Sequence, residues 1–181
     1  MNIPSTIASD YVRCRKFLHD NVHFLMKESE IHTEEHCARV LLFALLIAEE
    51  MKLPQDDREA LGAASVFHDS RRMEDGYDTG HGDRAAAYYR EYCQKGGLAY
   101  DQRVFDVMSY HDRDDPVGIK AMKQKKPPLK DEILLYKIFK DADALDRFRL
   151  GPNGLDPRFL RTKEAKGLVS YARKVWEESK K

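Results

Sequence analysis

Apolar residues recur at helical spacing along this chain, and this periodicity constrains the fold more than any other feature. They return every three or four positions within each periodic segment, and no stretch shows the sustained two-residue alternation of a half-buried β-strand. The pattern therefore predicts an all-α fold. With 181 residues the chain has the length of one domain, so we expect a compact single-domain helical bundle over residues 1–181.

Caps, glycines and prolines divide the periodic pattern into separate helices. Ser9 or Asp10 is suited to cap the first helix and Thr33 the second. The predicted helices cover about residues 10–27, 34–53, 56–68, 83–94, 100–111, 131–148 and 163–180. We expect loops over about residues 70–82 and 112–118, and a basic, solvated connection over about residues 120–130.

Titratable side chains interrupt the apolar faces of several predicted helices. His36 shares a helical face with Val40 and Phe43, and the residues in comparable positions on other helices are His68, His111 and Asp143. Burying such a group without a partner costs several kcal/mol. A single core histidine is most often a hydrogen-bonded packing residue, but several imidazoles and carboxylates on inward faces need a shared partner. A divalent cation inside the bundle would supply it.

Three short motifs carry a resemblance to a known family. The chain reads HCARV from His36, FHD at His68 and Asp69, and KDADALD around Asp143. Together they resemble the H…HD…D signature of the HD superfamily of metal-dependent phosphohydrolases, over about residues 31–149. The resemblance implies an HD-type helical bundle with a metal in its core, bound by His36, His68, Asp69 and Asp143. Its last ligand is assigned to Asp143 rather than Asp141 or Asp146, because Asp143 is the first aspartate of the ADALD match and follows the Tyr136/Phe139 stripe.

Two further histidines extend the resemblance. GHGDRAA at His81 and SYHDRDD at His111 are similar to a subgroup with two extra histidines between the HD dyad and the last aspartate, which includes bacterial diadenosine tetraphosphate hydrolases. This similarity implies a second metal on His81 and His111, with Asp69 bridging the two ions. Iron or manganese suits such mixed ligands best, with zinc, nickel or cobalt as further candidates. The chain lacks an adjacent His-His pair and a GYP motif, which argues against a cyclic-dinucleotide phosphodiesterase.

The resemblance implies hydrolysis of a phosphomonoester or phosphoanhydride in a small phosphorylated molecule, with a nucleotide expected. A metal-activated water would attack phosphorus, with Asp69 and His68 as catalytic residues. Arg71, Arg72 and Arg113 lie next to predicted ligands and could bind phosphate oxygens. Pairing with neighbouring aspartates is the alternative role for these arginines.

Two other functions fit parts of the sequence. An HD-like bundle could retain the metal or nucleotide pocket as a sensor or scaffold without turnover. Alternatively, His32, Glu35 and His36 form the HxxEH pattern of inverted zinc proteases, in which the glutamate is the general base. That pattern leaves the other histidines unexplained, and His32 precedes the expected helix cap at Thr33.

Composition bounds the partners and the compartment. Lysine plus arginine (31) equals aspartate plus glutamate (31), so no net field attracts nucleic acid. The 3 cysteines form no CxxC pair, which favours a reducing compartment. The longest apolar run, residues 40–48, is too short to span a membrane, and no secretory signal pattern is visible at the N-terminus. We therefore expect a cytoplasmic protein.

Overall fold

The computed structural model describes residues 3–180, and over that range it confirms the all-α prediction. It contains nine α-helices and two short 3₁₀ helices, and no β-strand occurs between residues 3 and 180. The α-helices are α1 Ser5–Asn21, α2 Glu34–Glu50, α3 Gln55–Phe67, α4 His81–Gln94, α5 Gln102–Tyr110, α6 Asp115–Lys123, α7 Glu132–Leu145, α8 Lys163–Gly167 and α9 Val169–Ser179. The 3₁₀ helices are Asp146–Leu150 and Pro157–Phe159. Within this range no helix has the length and apolar character needed to cross a membrane.

Helix α2 forms the centre of the bundle and packs against α1, α3, α7 and α8. It is apolar around most of its circumference, and its residues from His36 to Leu45 are all buried. A helix with this pattern has to be surrounded by others. The predicted cap is confirmed, because the Thr33 side chain accepts a hydrogen bond from the His36 backbone N–H. Glu34 and Glu35 occupy the first turn, where the helix dipole favours acidic side chains.

The predicted loop over residues 112–118 and connection over residues 120–130 are partly wrong, because α6 occupies Asp115–Lys123. Pro116 lies in its first turn, where its fixed φ favours helix initiation. Gly118 lets α6 approach α7, since a Cβ there would lie 2.9 Å from the Tyr136 ring. Only nine residues long and with few buried positions, α6 has too short an apolar pattern to be recognised as a helix.

The bounds of the terminal helices also differ from the prediction. α1 begins at Ser5, after Pro4, so the predicted caps Ser9 and Asp10 both lie inside the helix. The Asp10 carboxylate instead binds Arg13 and Arg58. α1 also ends early, at Asn21. At the C-terminus the single predicted helix is divided at Leu168 into α8 and α9, with Thr162 capping α8. The helix predicted over residues 131–148 ends at Leu145 and continues as the 3₁₀ helix.

A buried ionic group holds the start of α7. Glu132 and Asp106 are both buried and both bind the Lys125 ammonium. Burial raises the pKa of Glu132 to about 7, with Lys125 opposing this rise and Asp106 adding to it. The folded protein therefore binds this proton more tightly than the unfolded chain, where the pKa is 4.5. The free energy of unfolding should consequently fall as pH rises from about 4.5 to about 7.

We expect Glu132→Gln to remove this part of the pH dependence. Urea unfolding at about pH 5 and about pH 8 would measure it, since the two pH values lie on either side of the folded-state pKa of Glu132, about 7. Glu177→Gln, at an exposed position of α9, is the matched control. If Glu132→Gln loses as much stability between the two pH values as the unaltered protein, the dependence arises elsewhere.

Candidate metal centre

Five helix ends meet at one point in the bundle, and each brings a predicted ligand. His36 lies in the first turn of α2, and His81 is the first residue of α4. His68 and His111 directly follow α3 and α5, while Asp143 lies in the last turn of α7. Asp69 follows His68 along the chain. The structure therefore brings together all six residues predicted as metal ligands.

A close approach between α4 and α5 places His81 beside His111. A Cβ on Gly82 would lie 2.4 Å from the Met108 carbonyl oxygen and 3.0 Å from His111 Nδ1, so only glycine allows this packing. Asp112 holds the start of α4, because its Oδ2 accepts hydrogen bonds from the backbone N–H groups of Gly80 and Gly82. This role of Asp112 was not predicted, although its position next to His111 indicated that it would lie nearby.

The ligand atoms form two groups that share Asp69. His36, His68 and Asp69 offer one set of donor atoms within 4.8 Å of one another, and Asp69, His81 and His111 offer another. Asp69 Oδ2 lies 3.4 Å from His36 Nε2, whereas Asp69 Oδ1 lies 3.1 Å from His81 Nε2. One carboxylate therefore presents one oxygen to each histidine pair. Asp143 belongs to the first side, with its Oδ1 3.4 Å from His36 Nε2.

Hydrogen bonds on the far side of each imidazole leave Nε2 free for a cation. Nδ1 faces a backbone carbonyl oxygen in three of the rings: Ser65 for His68, Asp78 for His81 and Met108 for His111. A carbonyl only accepts, so in each neutral ring Nδ1 carries the proton and Nε2 keeps its lone pair. In the fourth ring, His36 Nδ1 lies 2.8 Å from Asp146 Oδ2. Such outer contacts are typical of metal-binding histidines.

The spacing of the facing nitrogens fits a bound ion. His36 Nε2 and His68 Nε2 are 3.2 Å apart, and His81 Nε2 and His111 Nε2 are 2.9 Å apart. Two lone pairs at such distances repel each other unless a cation or proton lies between them. Neighbouring nitrogen ligands at about 2.1 Å from an ion are separated by about 3.0–3.4 Å, depending on the coordination geometry. The residues therefore fit two divalent ions, one at each histidine pair.

The protonation states of His68 and Asp69 suit a bound cation. Burial lowers the pKa of His68 to about 3, so this ring is neutral near pH 7. Burial acts to raise the pKa of Asp69, but the surrounding imidazoles His68, His111 and His36 lower it well below its ordinary value. A charged carboxylate and a neutral imidazole are the protonation states that bind metals, in competition with protons.

The two aspartates flanking Asp143 face away from the cluster. Asp146 is buried behind His36 and also binds the guanidinium of Arg39, so it orients a ligand rather than acting as one. Asp141 accepts hydrogen bonds from the backbone N–H groups of Arg161 and Thr162 just before α8. In the sequence, Asp141 and Asp146 were alternatives to Asp143 as ligands. The positioning role of Asp146 was not predicted, although its place about one turn after Asp143 could have suggested it.

The cluster forms the floor of an open cavity of about 750 Å³. His81, His111, Asp69 and Asp143 line it, and it is bounded by the segment between α3 and α4 and the segment after α7. Its basic lining residues are Arg72, Arg113, Lys140, Arg147, Arg149 and Arg161. Seven aspartates also line the cavity, so its formal charge is near zero without ions and becomes clearly positive with two divalent cations.

The three arginines predicted to bind phosphate take different positions. Arg72 lines the cavity, with its Nη1 3.8 Å from Asp69 Oδ1 and 3.3 Å from both nitrogens of His81. Arg113 also lines it and binds Asp83. Arg71 does not line the cavity, and its guanidinium stacks on the Tyr88 ring, 3.3 Å from the centroid. The structure therefore does not bring Arg71 to the cavity with the other two arginines, because its side chain packs on Tyr88 of α4.

The protease pattern is not assembled around His36. Glu35, the residue that would act as general base, is exposed and binds Arg15 of α1. His32 precedes the helix cap, and its Nδ1 lies 3.0 Å from Asp75 Oδ1. Within residues 3–180, His32 belongs to neither group of donor atoms that could hold a metal. The HxxEH interpretation is therefore not supported.

Comparison with known proteins gives one result. The family model described as the HD domain matches residues 33–147, which include all six predicted ligands. No curated protein and no solved structure matches the chain.

Proposed function

The chain belongs to the HD domain family, which generally comprises metal-dependent phosphohydrolases, and from this premise we propose a specific activity. The protein hydrolyses a phosphomonoester or phosphoanhydride of a nucleotide, using two divalent metal ions. His36, His68, Asp69 and Asp143 would hold the first ion, and His81 and His111 would hold the second, with Asp69 shared by both sites. The ligand set of imidazoles and carboxylates favours iron or manganese.

One observation carries this proposal. Four histidines direct Nε2 toward a single carboxylate at the floor of a cavity, and the opposite nitrogen of each ring is bound to an acceptor. A packing histidine needs no such arrangement. Because the cavity leaves the cluster open on one side, a substrate can reach it, as a catalytic rather than a purely structural metal site requires.

Residues of the chain would position the attacking water and the metal ions. When bound, two divalent ions would lower the pKa of water and offset the negative charge on the phosphoryl oxygens. Asp69, fixed between the histidine pairs with one oxygen toward each, can accept a hydrogen bond from the attacking water and orient it. His68 would hold the first ion through Nε2, because its Nδ1 is bound to the Ser65 carbonyl oxygen. Asp146 fixes the ring of His36 in the same way.

Two exposed aromatic rings support a nucleotide as substrate. Tyr77 is 91% exposed and Phe159 is 72% exposed, and both line the cavity. Large aromatic rings left open to solvent at the edge of a site that binds phosphate can stack on a nucleobase, which contributes about 1–3 kcal/mol per base. The cavity volume is also in the range of small-molecule sites, roughly 300–1,000 Å³.

A turnover assay tests the proposed function. Protein freed of metal by chelation would be assayed with added Mn²⁺, Fe²⁺, Zn²⁺, Ni²⁺ or Co²⁺ against nucleoside mono-, di- and triphosphates and dinucleoside polyphosphates. We expect release of phosphate or a nucleotide that depends on added metal. Metal binding without turnover on any of these substrates would favour a sensor or scaffold role instead.

Replacing Arg72 or Arg113 with alanine should weaken catalysis without removing metal. Each variant loses a charge-assisted contact to phosphate, worth roughly 10-fold or more in kcat/KM. Arg71→Ala is the matched control, because it removes the neighbouring guanidinium that points away from the cavity. Unchanged kinetics for both cavity variants would limit these arginines to ion pairs with neighbouring aspartates.

A further inference from the structure

Arg149 is a buried cation with an unused hydrogen-bond donor. It belongs to the 3₁₀ helix after α7, its side chain is 7% exposed, and it lines the cavity. Its Nε donates to the Ile31 carbonyl oxygen at 3.0 Å, but its buried Nη1 has no hydrogen-bond partner. A buried donor left without an acceptor costs about 1–3 kcal/mol, and more when the group is charged. The Arg149 guanidinium therefore needs a hydrogen-bond acceptor that residues 3–180 do not supply.

The nearest carboxylate does not satisfy Arg149. Asp146 Oδ2 lies 3.8 Å from Nη1, which is too long for a hydrogen bond. The two oxygens of Asp146 already accept from His36 and Arg39. Because Nε is held by Ile31, Nη1 is the donor that remains for a charge-assisted hydrogen bond to a phosphate oxygen.

A second cation of the same cavity also lacks a carboxylate within hydrogen-bond distance. Arg147 is exposed, and its Nε donates to the Gly154 carbonyl oxygen at 3.0 Å, with no carboxylate bound to it among residues 3–180. By contrast, the cavity residues Arg113, Lys140 and Arg161 each bind an aspartate. Within the described range, three cavity cations therefore lack a carboxylate within hydrogen-bond distance: Arg147 and Arg149 lie on the segment after α7, and Arg72 lies beside His81 at the other histidine pair.

We propose that Arg149, assisted by Arg147, binds a second phosphate group of the substrate, distinct from the phosphoryl group that is cleaved. This inference rests on the proposed phosphohydrolase function and narrows it. Arg72 and the metal centre would bind the phosphoryl group that reacts, and Arg149 would bind the adjacent phosphate group of the same substrate. The preferred substrate therefore carries at least two phosphate groups, such as a nucleoside diphosphate or a longer phosphate chain. Arg149 lies outside the part of the chain that matches the HD domain.

Binding of two matched ligands separates one phosphate site from two. Methylphosphonate carries one phosphonate group, and methylenediphosphonate carries two joined by a carbon that cannot be hydrolysed. Calorimetric titration of the manganese-loaded protein, with manganese in excess of the ligand, would give both affinities. We expect Arg149→Met to weaken binding of the diphosphonate roughly 10-fold while leaving that of methylphosphonate unchanged. Arg90→Ala, on the exposed surface of α4, should change neither.

Two results would overturn the subsite. Unchanged diphosphonate affinity in Arg149→Met would show that Arg149 binds no phosphate, and an equal loss for both ligands would place it on the reacting group. Arg147→Ala changes an exposed residue and does not threaten the fold, so it must show the same selective loss, in smaller degree, even if Arg149→Met fails to fold. Because binding is measured without turnover, an inactive protein that retains this selectivity would contradict the proposed function and not the subsite.

Discussion

Replacing Asp69 with alanine is expected to lower kcat/KM toward a phosphoester by several orders of magnitude. Among residues 3–180, Asp69 is the only carboxylate that presents an oxygen to both histidine pairs, so the change weakens both proposed ion sites at once. It also removes the group placed to orient the attacking water. Steady-state kinetics on the best substrate of the panel, with saturating metal, would measure the loss.

The control for Asp69→Ala is Glu35→Gln, which tests the rival protease chemistry. Glu35 is bound to Arg15 at the surface, so its replacement should leave phosphoester hydrolysis within about twofold of the unaltered rate. Circular dichroism would verify that both variants are folded. A folded Asp69→Ala protein with unreduced activity would refute the assignment of Asp69, and loss of activity in Glu35→Gln alone would favour the HxxEH interpretation.

Replacing His81 and His111 together with alanine should reduce the bound metal from two ions per chain to one. These two residues supply the imidazoles of one group of donor atoms, whereas His36 and His68 retain the other. Asp69 stays charged beside the remaining pair, so the first ion keeps its ligands. Elemental analysis of protein dialysed against excess Mn²⁺ and then gel-filtered would count the ions.

The double variant His19→Ala, His23→Ala removes the same number of imidazoles from exposed positions and should retain two ions. Activity should fall strongly in the His81/His111 variant and stay unchanged in this control. One ion per chain in the unaltered protein, with no change in the His81/His111 variant, would contradict a dinuclear centre.

Sequence periodicity predicted the helices that carry large apolar faces. The cores of α2, α3, α4, α5 and α7 were all expected, because their inward residues repeat over several turns. α6 was missed because it buries only Gly118 and Met122, whereas α5, which has the same length, buries five residues and shows a clear apolar face. The early end of α1 at Asn21 also depends on tertiary packing, since the residues beyond it still show helical spacing.

His36, His68, His111 and Asp143 could be predicted as ligands because titratable groups stand out on apolar helical faces, whereas Asp69 and His81 were predicted from the resemblance to the HD superfamily. The contacts that the neighbouring side chains make around these ligands could not be predicted from the sequence, because they depend on where the loops pass. Arg71 and Arg72 are neighbours in sequence, yet one stacks on Tyr88 and the other contacts His81. Likewise, the free donor of Arg149 becomes visible only once its contact with Ile31 is known.

Anomalous X-ray scattering from crystals grown with Mn²⁺ would test most directly whether two metal ions bind on either side of Asp69. We predict two anomalous peaks, one between His36 Nε2 and His68 Nε2 and the other between His81 Nε2 and His111 Nε2. Asp69 should bind both ions, one through each oxygen. The absence of a peak at either histidine pair, or peaks only on surface carboxylates, would contradict the two-metal centre.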